Sequence, residues 1–185
     1  MITLDKEQIN KALPKIEKGL IQYVWIQSEL LKRDISKDEE FQKKFNYFYK
    51  ITPHRNKDWQ NQFYNLLQVS KQTQISFMEI LCDLYKKTGK LEASFASKLK
   101  ATISPDMPVI DSIVLKNLKL KLPYSYQKER SSKINEVYQT LISETSEFLK
   151  SENGKYLTSQ FIEKYPEAKI TKEKILDLVL WQTRD

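Results

Sequence analysis

Apolar positions along this chain recur three and four residues apart almost throughout, the spacing of a helix with one buried face. Ile9, Leu13, Ile16, Leu20 and Val24 share one side of a first segment. Pro14 is expected to open its main helix, which should end near Arg33. Ser36 followed by Glu39 has capping-box spacing, and Phe41, Phe45 and Phe48 then make the buried face of a second helix. A third helix carries Trp59, Phe63, Leu66 and Leu67. Ser76 with Glu79 repeats the capping box before a fourth, faced by Ile80, Leu81, Leu84 and Tyr85. Gly89 is placed to end that helix in the left-handed conformation that only glycine adopts without steric cost.

A fifth helix presents Leu91, Phe95, Leu99 and Ile103, and the loop Ser104-Pro105-Asp106-Met107-Pro108 breaks it. Asp111 is placed to cap a sixth, short helix with Val114, Leu115 and Leu118. Leu118, Leu120 and Leu122 alternate with lysines, but Pro123 follows and no partner strand is visible, so an extended connector is expected. Ser131 to about Lys150 reads as a long helix ended by Gly154. Two shorter helices follow around Phe161 and from Thr171 to Trp181, the last apolar enough to close the core. The expected fold is all-α, a compact bundle of eight or nine helices in a single domain over residues 1–185. A charge- and serine-rich stretch near 123–132 is where two lobes would meet.

Composition narrows the chemistry. The 185 residues carry 31 Lys plus Arg against 24 Asp plus Glu, a net charge of +7. Lysine accounts for most of it, with eight lysines between positions 86 and 121 against Glu92, Asp106 and Asp111. Cys82 is the only cysteine and His54 the only histidine, so disulfides, multi-cysteine metal sites and histidine triads find no support. Cys82 is expected to be a buried thiol and His54 a loop residue. No metal or cofactor is called for. The first residues, Met-Ile-Thr-Leu-Asp-Lys-Glu, lack the apolar core of a signal peptide, and no stretch is long and apolar enough to span a membrane. A cytoplasmic protein without a membrane partner is expected.

Residues 87–120 run helix, glycine turn, helix, proline loop, aspartate, helix. That order, with Lys87-Thr88-Gly89-Lys90-Leu91 as the turn and Pro108-Val109-Ile110-Asp111-Ser112 as the aspartate motif, resembles the core of the helix-hairpin-helix (HhH-GPD) DNA glycosylases. The resemblance implies a helix-hairpin-helix element that holds a DNA phosphate, with Lys87, Thr88, Gly89, Lys90, Ser94 and Lys98 as the binding set. It implies Asp111 as the catalytic carboxylate that stabilises the sugar left by a departing base. Glu92-Ala93-Ser94 stands where bifunctional members carry a lysine near the hairpin, which implies base excision without strand cleavage. The alternative is a non-enzymatic helical interaction module whose protein partner is not specified. A wider likeness, to small helical bacterial proteins of unassigned activity, rests on Phe45-Asn46-Tyr47-Phe48-Tyr49, Arg55-Asn56-Lys57-Asp58-Trp59 and residues 92–98. Of the first of these stretches, Tyr47 and Tyr49 are expected to be the open rings.

Overall fold

Local side-chain chemistry sets most helix ends. Asp5 accepts the Gln8 amide at 2.8 Å while the Gln8 side chain accepts the Asp5 amide at 3.0 Å, which starts α1 (Lys6–Ala12). The computed structural model describes residues 2–51 and 56–183. His54 lies outside the described residues. Pro14 does not open a new helix. It sits in a 3₁₀ turn, Leu13–Ile16, that runs without a break into α2 (Glu17–Leu30). A 3₁₀ residue turns the chain further than an α residue, so four of them rotate the buried stripe by roughly 80°. Tyr23, Ile26 and Leu30 therefore face inward, and Val24, predicted for that face, is exposed.

Asp38, not Ser36, caps α3 (Glu39–Phe48), accepting the Phe41 amide at 2.8 Å. The Ser36 hydroxyl is turned back to Asp34. Arg33 fixes this corner, its guanidinium reaching Glu29 at 2.6 Å and both Asp38 and Glu40 at 2.9 Å. Next come α4 (Lys57–Ser70), α5 (Phe77–Thr88), α6 (Ala93–Ile103) and α7 (Ser112–Asn117). Then α8 (Arg130–Lys150), α9 (Glu152–Lys164) and α10 (Lys172–Leu180) complete the fold. With the continuous α1–3₁₀–α2 run taken as one, nine helices and no strand occur among the described residues, as the apolar spacing predicts.

The helix α10 is the axis of the packing. Every residue from Lys174 to Trp181 is buried, against α8, α9 and the α1–3₁₀ segment, with Trp181 stacked on Phe48 at 5.6 Å. An aromatic layer of Phe41, Phe45, Phe63 and Tyr64 joins α3 to α4. Phe77 stacks on Tyr138 at 3.9 Å and joins α5 to α8. The N-terminal segment is sewn to the late helices by polar contacts. Asn153 Nδ2 donates to Leu4 O at 3.0 Å, Tyr156 OH bonds Asn10 Oδ1 at 3.0 Å, and Tyr165 OH donates to Leu13 O at 3.1 Å.

Three further expectations are corrected. Tyr49 is not open; it is buried, with its ring 4.7 Å from both Phe45 and Phe48. Tyr49 follows Phe45 by four residues and its amide still donates to Phe45 O at 2.9 Å, so helical spacing itself carries the ring onto the buried Phe45 face; the left-handed φ of 53° comes only at Lys50. Cys82 is exposed, because Phe77, Ile80, Leu81 and Leu84 occupy the opposite side of α5. Gly154 does not end α8. Ser151 does, and Gly154 lies in the first turn of α9.

Candidate nucleic-acid interface

The α5–α6 hairpin is built by local chemistry. Ser76 and Glu79 close a reciprocal capping box at the start of α5, with bonds of 2.8 and 3.2 Å. Its far end stops at Gly89, whose φ of 70° and ψ of 8° are left-handed and whose amide donates to Tyr85 O at 2.8 Å. Thr88 Oγ1 donates to Leu84 O at 2.7 Å, so this hydroxyl already closes the last turn of α5. Lys87, Gly89 and Lys90 are exposed at the apex, beside Lys86. After a short connection α6 begins, with Glu92 in the N-cap position. As at any helix start, the first amides of α6 have no acceptor within the helix.

The α6 helix packs on α5, and its small residues Ala93, Ala96 and Ser97 are all buried. Ser97 Oγ donates to Ser94 O at 2.9 Å and accepts the Ile110 amide at 2.8 Å. That second bond ties the loop after α6 back onto the helix and sets Asp111 next to it. Asp111 is half-buried, and its Oδ1 accepts the Ile113 amide at 2.8 Å to cap α7. Lys98 is only 8% exposed, its Nζ 5.1 Å from the Phe95 ring centroid. Burial pushes its ammonium below the ordinary value, and the carboxylates of Asp111 and Asp177 pull it partway back.

The site residues therefore divide into two groups. Lys87, Thr88, Gly89 and Lys90 form the hairpin apex. Ser94, Lys98 and Asp111 belong to the inner side of the element, where Lys98 and Asp111 feel each other's charge. Of the eight central lysines, Lys100 is also engaged inward, donating to Ile75 O and Ser104 Oγ, both at 2.9 Å.

Sequence reasoning missed a second polar cluster. Lys174 and Asp177 form an ion pair of 2.8 Å with side chains only 1% and 7% exposed. Lys174 Nζ also lies 4.8 Å from the Tyr23 ring centroid and within 6 Å of Tyr49 and Phe48 at 5.8 and 5.9 Å. Burial opposes the Lys174 charge, yet Asp177 and the surrounding hydroxyls outweigh it and hold the ammonium above its ordinary value. The signal in the sequence was an aspartate inside the apolar run Ile175 to Trp181, with a lysine three residues before it. Tyr49 OH meets Thr102 Oγ1 at 3.2 Å, and Thr102 donates to Lys98 O at 2.7 Å, so this cluster reaches α6.

These buried groups set the alkaline limit of the fold. Burial holds the phenols of Tyr23, Tyr49, Tyr64 and Tyr138 above 10.0. A group whose folded pKa is raised stabilises the fold below its unfolded pKa, and that contribution is lost as pH climbs above it. Lys174 acts in the same sense above 10.5, and Lys98, held low by burial, acts in the opposite one. Five groups against one predict loss of stability above about pH 10. In an alkaline titration, part of the tyrosinate absorbance should rise in the same cooperative step that abolishes helical circular dichroism. Ionisation of all ten tyrosines with the helices intact would be the contrary result.

Among the described residues no cluster of three or more His, Cys, Asp or Glu could hold a metal ion, and no helix is long and apolar enough to cross a membrane. Compared with protein-family models, curated proteins and solved structures, the chain matches none of them.

Proposed function

We propose that this chain is a DNA-binding protein that grips the phosphate backbone with the α5–α6 hairpin and does not excise bases. The observation that carries the reading is the gathering of exposed Lys86, Lys87 and Lys90 around a left-handed glycine turn that leads into a helix start. Such a turn lets backbone amides and ammonium groups approach one anion together. A binding role without base excision is favoured by the surroundings of Asp111. Its carboxylate already caps α7 and shares the field of the buried Lys98. A carboxylate that must stabilise a cationic sugar works best when no other cation competes for it.

The test is binding to duplex DNA carrying an abasic analogue, measured across a salt series. A Lys87→Ala, Lys90→Ala double variant should bind more weakly, and the slope of log affinity against log salt should shrink by about 0.9 for each phosphate no longer neutralised. No measurable affinity at low salt would overturn the reading. A base-release assay forms the second arm. Release by the wild type that disappears in Asp111→Asn would replace simple binding with glycosylase chemistry.

A further inference from the structure

The connector between α7 and α8 holds two aromatic rings in open water. Tyr124 and Tyr126 are 62% and 80% exposed, yet their rings are parallel to within 2°, with centroids 5.5 Å apart. Tyr126 is the most exposed large apolar side chain among the described residues. The turn that presents them is fastened at both ends. Tyr124 donates its amide to Gln127 Oε1 at 2.8 Å and accepts the Gln127 amide at 3.1 Å, and Arg130 Nε donates to Pro123 O at 3.3 Å. The rings are thus held as a platform without being part of the core.

The platform stands in a strongly basic stretch of the chain. Between positions 116 and 133 there are Lys116, Lys119, Lys121, Lys128, Arg130 and Lys133 against the single acid Glu129. Below Tyr124 a surface hollow of about 270 Å³ opens between the connector and α8, with Lys121 and Lys133 on its walls and Gln127 and Glu136 beside them. Neighbouring cations lower the attraction for neutral sugars or apolar peptides relative to a ligand that brings its own negative charge.

We infer that Tyr124 and Tyr126 form a stacking site for single-stranded nucleic acid, with Lys121 and Lys133 meeting the backbone phosphates. Every base offers a π-face, so such a platform accepts sequence freely, and the cations supply the backbone contact. At 5.5 Å the gap between the tyrosines is too narrow for an inserted base, which needs two stacking steps of about 3.4 Å. The base must therefore lie on an outer face of the pair. A duplex, whose bases already stack on one another, cannot use the platform in this way. The site is separate from the hairpin and does not rest on the reading given for it.

The probe is a fluorescein-labelled oligo(dT) of about 12 nucleotides, a length suited to one such site. Anisotropy titrations with the full chain should give saturable binding that weakens as salt rises. Tyr124→Ala and Tyr126→Ala should each weaken it by about tenfold, while Tyr124→Phe and Tyr126→Phe keep it within about twofold. Lys121→Ala should reduce the salt slope by about 0.7. In the Lys87→Ala, Lys90→Ala background the tenfold losses from Tyr124→Ala and Tyr126→Ala should persist, and neither tyrosine variant should weaken duplex binding, so failure of the hairpin reading and failure of this one are distinguishable. Absence of binding at low salt would overturn the inference. So would alanine variants that bind like the wild type, or inorganic polyphosphate that binds the wild type as tightly as oligo(dT).

Discussion

Replacing Asp177 with alanine is expected to destabilise the fold by about 3–5 kcal/mol, the cost of leaving a buried charge without its partner. Lys174 would remain 1% exposed, with the Tyr23 ring at 4.8 Å as its nearest compensation. A cation over an aromatic face is worth only about 0.5–2 kcal/mol, too little to replace a 2.8 Å ion pair. The pH dependence should change sign as well. In the wild type the raised Lys174 pKa makes its contribution decline above 10.5. Without Asp177, burial becomes the dominant influence and drives that pKa down, so the variant should regain stability as pH rises toward 10.5. A double variant, Lys174→Met with Asp177→Leu, should recover most of the loss, because apolar replacements of a buried pair are often neutral or better. Urea unfolding at three or four pH values would check all three outcomes. A single variant as stable as the wild type would mean that the pair is solvated rather than buried.

Gly154→Ala should be of similar size. Ser151 closes α8 and opens α9 in one step, accepting the Gly154 amide on its hydroxyl at 3.2 Å, so the two helices meet with no loop between them. A Cβ at position 154 would stand 2.6 Å from Leu149 Cα and 2.9 Å from Leu149 C, with Phe148 O closer still. These are backbone atoms and cannot swing aside as a side chain would. Either the junction opens or α9 shifts, at a cost of about 3 kcal/mol or more. Gly19 supplies the control. It lies inside α2, where a methyl group at this position would meet Leu178 Cδ2 at an ordinary 3.5 Å, so Gly19→Ala should gain up to about 1 kcal/mol from helix propensity. Thermal melts of both variants, followed by circular dichroism, should move in opposite directions.

What could be read from the sequence was what neighbouring residues decide among themselves. The Ser76–Glu79 box, the left-handed Gly89 and the Asp111 cap each depend on groups within four positions, and all three form as expected. The Phe41, Phe45 and Phe48 stripe is likewise a property of one helix. Some failures are local competitions, in which Asp38 takes the cap expected of Ser36 and Ser151 ends α8 before Gly154; the others are long-range or turn on one bend. Tyr49, four residues after Phe45, follows the same local spacing as the stripe, whereas Val24 depends on a 3₁₀ turn ten residues earlier. Nothing local marks Lys174 as buried, since lysine on a helix usually stays in water; only the arrival of Tyr23, Phe48 and Tyr49 from other elements makes its place a buried one. The inward engagement of Lys98 and Lys100 has the same origin, since net charge cannot tell which lysines the packing of α6 will enclose.

The polar stitches from Leu4, Asn10 and Leu13 to Asn153, Tyr156 and Tyr165 bear on the order in which the chain acquires structure. Their partners are about 150 positions apart, so closing them costs far more chain entropy than any turn within a hairpin. While α2 packs on α3, the apolar faces of α1 and the 3₁₀ turn, with Ile9 and Ile16, have their cover in α9 and α10. During synthesis those faces emerge first and wait longest. The middle of the chain, where α4, α5 and α6 pack as sequence neighbours, can assemble well before them. The α1–3₁₀ segment is therefore the part of the chain whose apolar face stays open longest, and the docking of α10 is the step that closes it.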